Sequence, residues 1–292
     1  MEALSRRAYR ARQRTAEPVA PARSSRAGRN LPAAIGVGVF LGGLVIATAL
    51  LWAPSFVVLV TVAILLALIE MVSALRAGRL HPPLVPVVAG AALIPIAYVG
   101  GVPALMLGYG LVCLAILLWR AVGEPAGAIR DIAGGVFIVT YVALMAGFAA
   151  LMIAEPDGGQ RIIVFALVTV MSDIGGYTLG VLKGKHPMAP SISPKKSWEG
   201  FAGSVLASVL AGAISVPLLL GGDWWAGLLL GLVAACFATI GDLSESTIKR
   251  DLGIKDMGSL LPGHGGVMDR LDSLLVTAPL SWLLLGVFVP VA

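Results

Sequence analysis

An all-α bundle of membrane-spanning helices is the fold class the sequence predicts, and three observations predict it. Hydrophobic residues make up 58% of the 292 and charged residues only 13%, whereas a soluble domain is about half apolar and a quarter charged. Apolar runs long enough to cross a bilayer recur along the chain. The charge that is present is concentrated: ten of the 32 residues from Gly241 to Asp272 are Asp, Glu, Lys or Arg. A polar patch between membrane spans is expensive unless it performs a task.

The chain divides into a basic tail (1–30), a first set of transmembrane helices (31–155) and a C-terminal region (156–292) with large polar loops at 183–199 and 245–270. The tail carries eight Arg and two acids. It lacks the apolar residues to fold, so disorder is expected. Its arginines suit anionic lipid headgroups, but a plain topology signal accounts for them as well and is preferred. The run after the tail is too long for a signal-peptide core and suits an uncleaved span. Cys113 and Cys236 fall inside apolar runs and form no disulfide framework.

Nine spans are expected, near Leu31–Trp52, Ser55–Leu75, Pro83–Val99, Val102–Trp119, Asp131–Ile153, Ile162–Leu182, Gly200–Leu220, Trp224–Ser244 and Leu271–Val289. Pro86, Pro95 and Pro103 interrupt the third and fourth, which a membrane helix tolerates when neighbours satisfy the freed carbonyl. Basic residues set the orientation. With the N-terminus in the cytoplasm, 20 of the 21 Lys and Arg fall on the cytoplasmic side and only Arg161 on the other. Both large polar loops then face the cytoplasm. A site built from them meets soluble substrates on one side and lipid headgroups on the other. Trp52, Trp119, Trp224, Trp225 and Trp282 read as interfacial anchors. Glu70, near the end of the second span, is expected to reach the interface and is given no role. His81 and His186 read as solvated loop residues.

Asp242, Ser246 and Arg250 follow at four-residue steps, so they share one face if the helix continues that far. Asp269 and Asp272 share a face at the start of the last span. Carboxylates gathered at a membrane boundary repel one another. Mg²⁺ removes that cost, because it favours a few carboxylates plus water and phosphate oxygens. Asp242, Asp269 and Asp272 are therefore the candidate metal ligands, against the plainer alternative of ion pairs with Lys249, Arg250 and Arg270. The run Pro262-Gly263-His264-Gly265-Gly266 lets main-chain amides approach an anion. His264 can donate to a phosphate or act as an acid. Ser193 before Pro194 looks like a helix N-cap with proline at the first helical position. Lys195 and Lys196 would then lie in the first turn, unfavourably unless an anion binds there. Asp173 sits inside the sixth span, beside Gly175 and Gly176, which allow close helix approach. An acid there faces the bundle interior or a wet cavity. No P-loop, nucleophile elbow or zinc-protease motif is present.

The segment Ser246-x-Ile248-Lys249-Arg250-x₄-Lys255-Asp256-x-Gly258-x₂-Leu261-Pro262-x-His264-Gly265-Gly266-Val267-x-Asp269-Arg270-Leu271-Asp272 resembles the signature of the phosphatidate cytidylyltransferase (CDP-diacylglycerol synthase) family. The match runs over 27 positions without a gap. Ser193 through Gly200 and Asp173 through Tyr177 are similar to further family segments, with Ser197 where Thr is more usual. The resemblance covers about the C-terminal 40% of the chain. It implies that CTP and phosphatidic acid give CDP-diacylglycerol and pyrophosphate, with Mg²⁺ and an accompanying K⁺. It also implies a homodimer in the cell (inner or plasma) membrane with the active site facing the cytoplasm, and no nucleic-acid partner. Asp242, Lys249, Arg250, His264, Asp269 and Arg270 become the candidate catalytic residues. Ser193, Lys195, Lys196, Ser246, Lys255, Gly265, Gly266 and Asp173 become candidates for holding substrate phosphates. Two rivals stand beside this reading. A CTP-dependent lipid kinase would give phosphorylated polyprenol or phytol and CDP. A cation-coupled transporter would place polar residues deep in several spans.

Overall fold

A computed structural model describes residues 31–122, 124–258, 265–289 and 291. The basic tail, with its expected disorder, lies outside the described residues. So does the stretch 259–264, which holds Pro262 and His264.

The described chain is helical apart from one small hairpin. The helices are α1 Leu31–Leu51, α2 Ala53–Ala77, α3 Leu84–Ala89, α4 Leu93–Ala121, α5 Ala128–Ile138, α6 Met145–Ile153, α7 Gly158–Lys183, α8 Trp198–Leu220, α9 Trp224–Asp251 and α10 Met268–Phe288. A 3₁₀ turn joins α3 to α4, and a π-helical turn, Val139–Leu144, joins α5 to α6. Between α7 and α8 two short antiparallel strands form, β1 Pro187–Ala189 and β2 Ser193–Ser197.

Among the described residues, seven helical stretches are long and apolar enough to cross a bilayer. One of them, Leu84–Ala121, is not straight. Gly101 within it has φ +65° and ψ −160°, outside helical geometry. A side chain added at Gly108 would meet Leu93 at 2.8 Å and Ile96 at 3.5 Å. Residues that far apart in sequence touch only if the chain folds back. The ends of the stretch agree. The Asp131 carboxylate accepts from the His81 N–H at 2.7 Å and from Arg120 Nε at 3.0 Å. A straight helix would hold the two ends of Leu84–Ala121 about 55 Å apart. This stretch is therefore a helical hairpin turned at Gly101, where φ is costly for any residue but glycine. The third and fourth expected spans are its two arms.

The termini of the helices sort into two ends. One gathers His81, Arg120, Asp131, Lys196, Asp242 and the start of α10. The other gathers Arg161, whose guanidinium pairs with Asp157 at 2.6 Å and donates to the Val289 carbonyl at 2.7 Å. Gly159 packs against the main chain of Ala49 at that same end. Arg161 is thus segregated from the other described basic residues, as the charge distribution predicts.

Two local expectations change. Ser193 and Pro194 do not start a helix; they lie in β2. The cap is Ser197, whose Oγ accepts from the Gly200 N–H at 3.1 Å. Glu199 then sits in the first turn, where an acid suits the helix dipole. A proline favours extended backbone in the residue before it, which suits a strand at Ser193 as well as a cap. Second, α9 runs on to Asp251, so the expected loop 245–270 begins several residues later.

The helices nearest the site meet through small residues. Gly175 of α7 lies against the main chain of Gly203 in α8, and Gly176 against Ser204. Ser204 and Ser208 donate from Oγ to the carbonyls of Ser172 and Val168, each at 2.8 Å. Side chains larger than these would part the helices.

Candidate active site

The polar end of α9 and the start of α10 carry the densest group of charges in the described structure. Because α9 continues to Asp251, Asp242, Ser246 and Arg250 do share one face. Glu245 and Lys249 occupy the next stripe, one turn apart.

Lys249 joins the two helices. Its ammonium lies 2.5 Å from Glu245 Oε2 and 2.5 Å from Asp269 Oδ1. Asp269 is nearly buried and also holds main chain. Its Oδ2 accepts from the Gly266 N–H at 2.6 Å, and the Met257 N–H reaches both oxygens at 3.2 Å. A cation at that carboxylate has to displace the ammonium. Gly265 has φ +83°, and a Cβ there would stand 2.8 Å from Asp269 Oδ2. Glycine at 265 is therefore required both by its backbone angle and by the carboxylate it passes.

The second group lies between α7, α9 and β2. The Lys196 ammonium is 2.6 Å from Asp242 Oδ2. Asp173, about 15 Å from the end of α7, is accessible and lies within electrostatic reach of Asp272, Asp242, Lys196 and Arg270. Asp272 is close enough to Asp242 and Glu245 for the charges to be coupled. Glu245 is 2% exposed, and among the described residues its Oε1 has no hydrogen-bond partner. The ion-pair alternative is thus present for Asp269, through the expected Lys249, which Glu245 shares, and for Asp242 through Lys196 in place of the expected partners.

The β-hairpin is tied down on both sides. Glu199 accepts from the Lys185 and His186 N–H groups at 3.1 and 3.2 Å and meets His186 Nδ1 at 2.5 Å. Arg250 Nε donates to the Ile192 carbonyl at 3.3 Å. This arrangement separates the two lysines. Lys195 is exposed on β2, whereas Lys196 turns inward to Asp242. Lys255 is exposed on the loop after α9, and Ser246 is half-buried beside the acids. Ser193 is half-buried at the base of β2.

Three residues of the site were not assigned from sequence. Glu245 stands four before Lys249, the spacing of a helical ion pair, which was the available signal. The Tyr141 hydroxyl, set on the π-helical turn, donates to the Gly241 carbonyl at 3.4 Å. No sequence pattern marks it. Glu70, expected to reach the interface and given no role, is the third. It is 5% exposed, and its Oε2 accepts from the Met268 N–H at 2.9 Å. An acid inside a span signals a task by default.

The model of the cytidylyltransferase family fits residues 32–288. The chain belongs to that family. The match extends the resemblance from the C-terminal region to nearly the whole described chain, so Glu70 and Tyr141 lie within it. A phosphatidate cytidylyltransferase of Mycobacterium leprae (strain TN) is 44% identical over 282 residues, 89% of this chain and 89% of the relative. That of Mycobacterium tuberculosis (strain ATCC 25618 / H37Rv) is 40% identical over 276 residues, 90% and 84% of the two chains. A Staphylococcus epidermidis (strain ATCC 12228 / FDA PCI 1200) protein of the same name is 36% identical over 179 residues, 60% and 68%.

Proposed function

We propose that the chain is a phosphatidate cytidylyltransferase, converting CTP and phosphatidic acid to CDP-diacylglycerol and pyrophosphate. The observation that carries this reading is the junction of α9 and α10, where Lys249 and Asp269 fix a glycine-rich loop beside a cluster of acids at one end of a membrane bundle. In the reaction, a phosphate oxygen of phosphatidic acid forms a bond to the α-phosphorus of CTP. The bond from that phosphorus to the bridging oxygen breaks, and pyrophosphate leaves with the electron pair. Phosphatidate is already an anionic nucleophile, so the site needs no general base. It needs to bring two anions together.

The residues divide that task. Lys196, Lys249, Arg250 and Arg270 supply positive charge for phosphates, with Lys195 and Lys255 as exposed contributors at the entrance. The main chain at Gly265, with Ser193 and Ser246, is proposed to offer hydrogen bonds; Gly266 lets the chain pass closely, its own N–H being held by Asp269. His264 is proposed as a donor to a phosphate oxygen.

The donor set also suits Mg²⁺. Among the described residues no three His, Cys, Asp or Glu side chains form a ready-made metal group. Mg²⁺ does not need one, since it takes one or two carboxylates and completes its shell with water and phosphate. Asp242 and Asp272, close enough for their charges to act on one another beside the buried Glu245, fit that demand. Asp269 is a third ligand if Lys249 gives way. A cation held there supplies charge neutralisation to the triphosphate and the leaving pyrophosphate. The accompanying K⁺ and the homodimer are carried from the family resemblance alone.

The test is an assay of the purified protein with phosphatidic acid, radiolabelled CTP and Mg²⁺. CDP-diacylglycerol and pyrophosphate are the expected products. Phosphorylated lipid with CDP would overturn the assignment in favour of a kinase.

Within this reading, Lys196→Ala is expected to lower kcat/KM for CTP by about ten- to a hundred-fold, the worth of one charge-assisted phosphate contact. Lys195→Ala is expected to change it less than about threefold, because Lys195 points away from the acids. Steady-state kinetics of both variants decide. Equal small effects would reduce the hairpin to a topology signal.

We also propose that the polar end faces the cytoplasm and that all nine helical segments cross the membrane. Glu155→Cys, in a Cys113→Ser/Cys236→Ser background, is expected to react with an impermeant thiol reagent only from outside. Lys185→Cys and Asp256→Cys are expected to react only from the cytoplasm. Reaction of Glu155→Cys and Asp256→Cys from the same side would break the proposed topology.

A further inference from the structure

The loop between α9 and α10 is held at its C-terminal side by a residue from the other half of the chain. The Met268 N–H opens α10, and the residue before it, Val267, offers no side-chain cap. Glu70 of α2 takes the capping role instead, accepting from that N–H at 2.9 Å. Two glycines of the loop pack directly on the same carboxylate. A Cβ at Gly266 would stand 2.5 Å from Glu70 Oε2, and one at Gly258 would run into the Glu70 side chain. Gly258 and Gly266 flank the segment 259–264, so one buried carboxylate touches the loop on both sides of it. Among the described residues, Glu70 Oε1 is buried without a hydrogen-bond partner.

We propose that Glu70 is a positioning residue for cytidylyl transfer: it caps α10 through Met268 and fixes the glycine-rich loop at Gly258 and Gly266, so that Asp269 and Lys249 meet the substrates in register. Glu70 acts through the loop, not on the reacting atoms. What matters is therefore the reach of an acceptor oxygen, not the negative charge as such. Glutamine keeps the length and an acceptor oxygen. Aspartate keeps the charge but falls short by one carbon–carbon bond. Alanine keeps neither. The inference rests on the cytidylyltransferase reading, and its test separates the two.

The experiment compares full-length Glu70→Gln, Glu70→Asp and Glu70→Ala, each normalised to monodisperse folded protein. The readouts are kcat and KM for CTP and phosphatidic acid. A second readout is the rate at which the thiol introduced by Val267→Cys is labelled, in the Cys113→Ser/Cys236→Ser background. Val267 is 9% exposed, so labelling is slow while the loop is held. The expected order of kcat is wild type, then Glu70→Gln within about threefold, then Glu70→Asp and Glu70→Ala at least tenfold lower. KM for phosphatidic acid is expected to move little. Labelling is expected to accelerate at least tenfold in the Asp and Ala variants and to stay slow in Gln. Aspartate equal to or better than glutamine would overturn the proposal, because charge would then be what counts. A wild-type labelling rate in folded Glu70→Ala would overturn it too. If Glu70→Ala and Glu70→Asp fail to fold, Glu70→Gln decides: near-normal kcat with slow labelling supports the anchor, and a tenfold loss removes it. A wild-type protein that makes no CDP-lipid would overturn the proposed activity, while the labelling order still tests the anchor.

Discussion

Asp269→Asn is expected to cut turnover at least about 100-fold while leaving the helices folded. The carboxylate holds the Lys249 ammonium and accepts from the Gly266 and Met257 N–H groups. An amide has one acceptor oxygen, and its NH₂ would face a donor. Lys249 would be left with Glu245 alone. Breaking a buried charged pair on one side costs about 3–5 kcal/mol, and if that cost falls on the reaction barrier it amounts to two or more factors of ten. A Mg²⁺ titration separates two ways of failing. If Asp269 only clamps the loop, kcat falls at an unchanged half-saturating Mg²⁺ concentration. If it also ligates the cation, the requirement rises as well. A folded Asp269→Asn protein with near-normal turnover at low Mg²⁺ would rule out both roles.

Asp242→Asn is expected to have the opposite signature. Its pair with Lys196 is partly exposed, with side chains 40% and 23% accessible. Such pairs contribute at most about 1 kcal/mol to stability, and removing Asp242 also relieves its repulsion with Asp272. Thermal stability should therefore hardly change in the absence of Mg²⁺. Turnover should fall about 100-fold or more, with the apparent Mg²⁺ requirement raised at least tenfold, because a hard cation needs the charge that Asn lacks. The double variant Asp242→Asn/Asp272→Asn should lose little more than the worse single variant, since residues acting as one unit are strongly non-additive. Metal-dependent activity and thermal melts measure both. A drop in Tm with an unchanged Mg²⁺ requirement would reduce Asp242 to an ion-pair partner.

The sequence by itself determined the fold class, the polar end and most residues of the candidate site. Those are properties of composition and local spacing. Apolar runs must span lipid, basic residues must segregate, and residues three or four apart must share a helix face. Asp242, Ser246 and Arg250 could be aligned without coordinates for that reason. The family segments could be aligned for the same reason, because a gapless run of 27 positions preserves its own register.

The tertiary structure decided what depends on partners distant in sequence. Leu84–Ala121 folds back at Gly101, a turn set by one backbone angle that the neighbouring prolines do not specify. Lys195 and Lys196 point apart because they lie on a strand, where successive side chains alternate, and that strand exists only through its pairing with Pro187–Ala189. Asp269 and Asp242 look alike as acids at helix ends. Only packing gives one a lysine and two main-chain amides and the other an accessible lysine. Glu70 is the clearest case. Nothing in the sequence around it announces a cap for a helix almost 200 residues later. Its role arises because α2 packs beside α10 and carries a carboxylate to an N–H that the local chain leaves unsatisfied.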